Sequence, residues 1–375
     1  NAPLLVHQHN CYVRSETVRV NHRFRLPARI GACDTSKFCS RNVNRFYPMM
    51  PTAHRRLLFL LLALLSAASV VAAAAIGSVN LGWSQWWNAL LDPAAEYGEL
   101  VWRLRLPRAA AAWTVGALLS LSGCLMQVLL RNPLADPYIL GVSGGASFAA
   151  LLGMTLGVTS AMLPALAWAG ALASILVVFS LARGEGPWSG TRLLLTGVVT
   201  ASGWAALISL LLTLGPDGSL RGMLFWLIGD LSYASLPPWA VAILVAIFLL
   251  CMGMARSLNV LAMGETTARL LGEPTRKLLW VVYLLASVLT ATAVSIAGNI
   301  GFVGLIVPHL MRLLVGSDHR VLFPVAAMFG GLFLVLSDTL ARTALAPRQL
   351  PVGVVTALLG VPLFLLLLNR ARVRQ

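Results

Sequence analysis

The chain has 375 residues, of which 58% are hydrophobic and 11% charged, with a mean hydropathy of +0.81. A soluble domain carries roughly 25% charged residues, so this composition cannot cover a water-facing surface and lipid must be the main solvent. The formal charge is +15, but ten of the basic residues lie within residues 1–56. The apolar body has no basic patch interleaved with aromatics, which excludes nucleic-acid binding.

Residues 1–48 have little hydrophobic periodicity and run into Met49-Met50. From Pro51 to Leu57 the sequence reads as the start of a membrane protein, a short basic segment followed by apolar residues. Residues 1–50 therefore read as an atypical N-terminal extension outside the functional fold, and 51–375 as the fold itself. Cys11, Cys33 and Cys39 share the extension with His7, His9 and His22, at spacings that match no standard metal-ligand pattern. Cys124 and Cys251 lie in apolar runs, where a thiol acts as a small hydrophobe. The apolar stretch Leu57–Ile76 has 20 residues, long for a signal-peptide core and right for a membrane span.

From there the apolar runs predict ten spans, at about 57–76, 109–130, 138–157, 161–182, 191–214, 236–255, 278–298, 300–315, 321–341 and 351–369. In lipid each backbone must satisfy its own hydrogen bonds, so the spans are helices, and the period-two alternation of a membrane barrel is absent. The fold class is an all-α polytopic membrane protein. With the first span entering from the cytoplasm, fourteen basic residues from Arg55 onward face inward and six outward (Arg103, Arg105, Arg108, Arg221, Arg342 and Arg348). That bias puts both termini in the cytoplasm. Trp83, Trp86 and Trp87 then fall just outside the first span, where an aromatic belt is expected. Small residues such as Gly141, Gly144, Gly145 and Ala146 suit close helix packing.

Two connections stand out. Residues 78–108 form a long outer one, rich in arginine at its end. Residues 256–277 form the longest inner one and read as two short helical pieces, broken at Gly264 and closed at Gly272, with Leu258, Leu261, Leu270 and Leu271 as apolar anchors. Such a loop is either a docking surface for a cytoplasmic partner or a helix lying on its own protein.

No G-x-x-x-x-G-K-[ST] phosphate loop, H-E-x-x-H motif or G-x-S-x-G elbow occurs, so any ATP must be hydrolysed by another polypeptide. Inside the spans Asp338 is the notable charge, four residues before Arg342 on one helix face. This spacing favours a structural pair over a proton relay. Arg103, Arg105 and Arg108 run against the positive-inside trend. They contact lipid headgroups or form an electropositive rim for acidic residues of an outer partner. His309, at a helix end, reads as structural rather than as a metal or haem ligand.

Several stretches together resemble one family: Arg105-Leu-Pro-Arg108, Arg131-Asn-Pro-Leu-Ala-Asp-Pro137 with Leu140-Gly-Val-Ser-Gly-Gly145, Thr191–Gly197, Leu261-Ala-Met-Gly-Glu265, Gly298–Arg312, Ser317–Arg320 and Leu350–Val354. It is the permease family of bacterial ABC importers for vitamin B12, haem and ferric siderophores. The resemblance covers about residues 55–370 and leaves out 1–50. It implies a ten-helix permease that forms a homodimer in the bacterial inner membrane, with two copies of a cytoplasmic ATPase below and one periplasmic binding protein above. The translocation path follows the dimer axis, and no cofactor is implied.

The resemblance assigns ATPase coupling to about 258–272, here Leu258, Leu261, Gly264, Glu265, Arg269, Leu270 and Gly272. It assigns binding-protein docking to Arg105, Arg108 and Arg342, and a cytoplasmic gate to Gly190 and Thr191. Gly190 stands where a vitamin B12 permease would carry a hydroxyl residue. Haem is the first substrate implied, with cobalamin or a ferric siderophore next. The rival reading is a secondary transporter working alone, active without an ATPase and sensitive to Asp338→Asn.

Overall fold

The computed structural model describes residues 52–372, apart from residues 78, 80, 183–189, 233 and 235. The N-terminal extension, with its cysteines and histidines, falls outside the described residues. Among those described the chain is helical, without a strand. In order come α1 (Thr52–Ala75), α2 (Trp83–Leu91), a π-helical segment (Leu100–Arg105) continuous with α3 (Leu106–Leu129), α4 (Val142–Thr155), α5 (Leu163–Ala182), α6 (Gly190–Leu214) and α7 (Asp217–Ile228). Then follow α8 (Pro238–Ala262), α9 (Glu265–Leu270), α10 (Thr275–Ala297), α11 (Val303–Val315), α12 (His319–Thr343) and α13 (Val352–Arg372).

The ten expected spans correspond to α1, α3, α4, α5, α6, α8, α10, α11, α12 and α13. Ten crossings place both termini on one side, and the charge bias makes that side cytoplasmic. Seven of these helices are long and apolar enough to cross a membrane, whereas the apolar helices Val142–Thr155 and Val303–Val315 are shorter. The 13 residues of α11 rise only about 20 Å, against a hydrocarbon core of about 30 Å.

The shortening has local causes. A 3-10 turn over Pro137–Leu140 ends in Gly141 at φ +69°, which fixes the start of α4. Gly298 at φ +68° and Phe302 at φ +70° bracket an irregular stretch before α11. Irregular backbone survives at this depth because protein groups satisfy it. Asp230 N–H donates to Ala297 O at 2.9 Å, Ile300 N–H to Tyr138 Oη at 3.2 Å, and Gly353 N–H to Gly229 O at 3.2 Å.

At the centre stands α3, whose most apolar window is 89% buried, packed by α12, α10, α11, α1 and α8. Close approach depends on glycine pairs. A Cβ on Gly116 would lie 2.2 Å from Gly330 O, and one on Gly123 only 1.8 Å from Gly304 O. Buried hydroxyls add cross-helix bonds, Ser120 Oγ to Ala326 O and Ser122 Oγ to Ala286 O, both at 2.8 Å. Because the atom facing Gly123 is backbone, α3 and α11 must separate to admit a methyl group. Gly123→Ala is expected to destabilise by about 3 kcal/mol, read as a lower unfolding temperature in detergent, while Gly203→Ala, at a position open within 4 Å, leaves it unchanged.

Two connections differ from expectation. The outer segment 78–108 is not merely a loop: it holds α2 and the π-helical lead into α3. In the inner segment, the first of the two expected short pieces is the uninterrupted end of α8, which runs to Ala262. No helix breaker occurs before Gly264, and Leu258 and Leu261 are fully buried, so packing carries the helix through. The breaks at Gly264 (φ +120°) and Gly272 (φ +83°) fall where expected. α7 was not anticipated, because Asp217, Gly218, Arg221 and Gly222 interrupt its apolar pattern.

Candidate functional site

The arginines expected to form an outer rim are turned inward. Arg105, Arg108 and Arg342 are only 5%, 8% and 4% exposed. Arg105 sits in the π-helical segment, and its guanidinium donates to the carbonyls of Ala74, Ala75 and Val79 at 3.2, 2.8 and 2.6 Å. Arg342 Nη2 donates to Ala73 O at 3.1 Å. These are carbonyls at and just beyond the C-terminal end of α1, which have no intrahelical donor and carry the negative end of the helix dipole, so two arginines cap that end.

Asp338 completes the cluster. Arg108 grips its carboxylate with Nε at 3.1 Å and Nη2 at 2.8 Å, and Arg342 Nε lies 3.1 Å from Oδ2. Arg108 Nη1 also donates to Gln349 Oε1 at 3.0 Å. The expected Asp338–Arg342 pair is present, and the grip of Arg108, from a helix 230 residues away, is additional. Together these residues form a buried clasp that joins the outer ends of α1, α3 and α12 and the segment before α13. Arg103 is the exposed arginine of this stretch, its side chain 78% exposed and paired with Glu99 at 3.3 Å.

The inner loop is built differently. Arg131 Nη2, just beyond α3, donates to Glu265 Oε2 at 3.2 Å, while Arg269 pairs with the other oxygen of Glu265 and donates through Nε to Thr275 Oγ1 at 3.1 Å. Ser257 Oγ donates to Glu273 Oε1 at 3.1 Å. Asn259 ties the end of α8 to the α11–α12 turn: its Nδ2 donates to Asp318 Oδ1 at 2.8 Å and its Oδ1 accepts from His319 N–H at 2.9 Å. α9 and the turn after it are thus fastened to the residue after α3, to α8 and to α10 by polar contacts. The apolar residues of this inner segment divide: Leu258 and Leu261 at the end of α8 are buried, but Met263, Leu270 and Leu271 are 67%, 84% and 62% exposed. Gly264 and Gly272, both at positive φ, free α9 to project that exposed edge.

Gly190 and Thr191 open α6, immediately after the undescribed residues 183–189. A Cβ on Gly190 would sit 3.9 Å from the Leu130 side chain, and Thr191 is exposed. The structure brings neither residue to the arginine clasp or to α9. Gln349 and Asn259 were not among the expected site residues, and Arg131 entered only as the first residue of the Arg131–Pro137 stretch. Asn259 carried a local signal, as a polar residue between Leu258 and Val260 in a helical run.

An all-helical, multi-pass subunit whose longest inner loop presents leucines to the cytoplasm has the form of a transport permease. A family model described as the FecCD transport family matches residues 60–370, and the chain belongs to that family. It is a multi-pass protein of the bacterial inner membrane and an ABC transporter permease. Among curated relatives, it is 42% identical over 285 residues to the uncharacterized ABC transporter permease YvrB of Bacillus subtilis, covering 73% of this chain and 80% of the relative. It is 44% identical over 286 residues to the cobalamin import permease BtuC of Halobacterium salinarum (73% and 74%), and 38% identical over 310 residues to the hemin transport permease HmuU of Yersinia pestis (80% and 91%). A solved structure of a metal-chelate type ABC transporter in an inward-facing conformation superposes with a TM-score of 0.73 at 30% identity, covering 84% of this chain and 99% of the other.

Proposed function

We propose that the chain is the permease subunit of an ATP-driven importer for a metal-bound macrocycle, with haem the first candidate and cobalamin the second. Family membership carries this reading. The relatives' names bring in both hemin and cobalamin, and these share a bulky, partly apolar macrocycle around a metal. A ferric siderophore is the further alternative.

The working unit is a homodimer with the path on its axis. α6 supports this: its apolar window is only 11% buried within one chain, yet exposed Ser202, Ser209 and Thr213 lie along one face, each hydroxyl bonded to its own helix. A face of small and hydroxyl residues suits a partner helix or a substrate path better than lipid. Two ATPase copies dock from the cytoplasm on Leu270, Leu271 and Met263. Glu265 and Arg269 carry the resulting motion of α9 into α3 and α10, and Gly190–Thr191 gate the inner end of the path. A periplasmic binding protein docks above. Arg105, Arg108 and Arg342 outnumber Asp338, so the clasp leaves positive potential that steers acidic residues of that protein, while Arg103 makes direct contact.

The test is ATP hydrolysis by the partner ATPase in nanodiscs containing this permease. Stimulation by the loaded binding protein that disappears without the permease supports the reading, and ATPase activity indifferent to the permease contradicts it. A secondary transporter has no use for the ATPase. Sensitivity to Asp338→Asn no longer separates the two, because Asp338 is held between two arginines.

A further inference from the structure

α2 is nine residues long, and its side chains fall into three sectors around the axis. At 100° per residue, Trp83, Trp87 and Leu91 occupy one arc, Ser84, Gln85 and Asn88 the next, and Trp86 and Ala89 the third, with half-buried Leu90 on the border between the third and the first. Only the third faces protein: Trp86 is 5% exposed and Ala89 fully buried. The polar arc is exposed. Trp83, Trp87 and Leu91 are exposed too, at 76%, 47% and 67%, and Trp83 and Trp87 stack at 6.4 Å.

A helix on a water-facing protein surface needs two sectors, one inward and one polar. The third sector here needs an apolar medium. Its surroundings identify that medium. Ile76 and Val79, beyond the end of α1, are each 51% exposed, and Val71 in the outer half of α1 is 48% exposed. On the other flank, Trp102 and Leu104 of the π-helical segment are 45% and 63% exposed, and Trp102 Nε1 donates to Ala89 O at 3.1 Å, pinning α2 to that segment. Exposed apolar residues thus stand on both sides of the tryptophan face along the chain. Indole rings prefer the headgroup level, with the apolar body in the acyl region.

We infer that α2 lies in the plane of the outer membrane interface, with Trp83, Trp87 and Leu91 seated in the lipid acyl–headgroup boundary, Ser84, Gln85 and Asn88 toward water, and Trp86 against the protein. The expected belt of three tryptophans reduces to two that touch lipid and one that does not. The helix then anchors the segment leading into α3, and so the height at which Arg105 and Arg108 sit. This placement depends on the membrane fold alone and stands whatever the substrate is.

The test is tryptophan fluorescence of the full chain in phosphatidylcholine vesicles, taking wild type minus Trp83→Phe/Trp87→Phe to isolate the two residues. That difference signal is expected to lose most of its intensity when the lipids carry bromine on acyl carbons near the headgroup, and to resist aqueous iodide. The signal isolated by Trp86→Phe is expected to resist both quenchers. Quenching of the Trp83/Trp87 signal by iodide and not by bromolipid would overturn the inference, as would resistance to both, which would mean that a second copy or another protein covers this face.

Discussion

Asp338→Asn is expected to destabilise the protein by about 3–5 kcal/mol, because it leaves Arg108 and Arg342 buried without their shared counter-charge. The two guanidiniums lie within about 3 Å of one carboxylate, and Arg105 is close by at the end of α1. Removing the only carboxylate of the clasp turns attraction into repulsion among cations with little access to water. Breaking a buried pair is far more damaging than replacing all of it by apolar residues. Arg108→Leu/Asp338→Leu/Arg342→Leu should therefore unfold at a higher temperature than Asp338→Asn, in detergent and followed by helical circular dichroism. If Asp338→Asn unfolds like wild type, the clasp does not hold the outer ends of these helices.

A second large effect is expected at the opposite face. Leu270→Asp/Leu271→Asp should leave folding intact, since both side chains are exposed in the single chain, yet weaken association with the ATPase by at least 10-fold, about 1.4 kcal/mol. Exposed leucines at a short helix end serve no purpose within one subunit. Burial of each against a partner contributes about 1.5–3 kcal/mol, which an aspartate forfeits. Co-purification with the ATPase and equal thermal stability of the free permease separate lost docking from lost fold. Unchanged association would move the coupling surface away from α9.

The ten membrane helices were legible because long apolar runs need no tertiary information: lipid demands them and turn residues bound them. The shortness of α4 and α11 was not. Apolar residues such as Ile300 and Phe302 continue the pattern through backbone that the protein, rather than the helix, satisfies. Gly264 and Gly272 were readable as breaks because positive φ favours glycine, but the length of α8 depended on buried Leu258 and Leu261. At the outer face, Asp338 and Arg342 stand four apart and announce their pair. Arg108 reaches them from 230 residues away, and its burial cannot be read from a run of exposed-looking arginines. The same holds for α2, whose three sectors need the knowledge that Trp86 faces protein and Trp83 does not.

Whether this permease works only as part of an ATP-driven importer is read out by uptake. The chain would be reconstituted in liposomes with its ATPase and binding protein, and haem accumulation followed with and without ATP. Accumulation is expected to need ATP and all three proteins, and with haem inactive, the same dependence is expected for cobalamin or a ferric siderophore. Uptake by the permease alone, driven by an ion gradient and indifferent to the ATPase, would contradict this dependence.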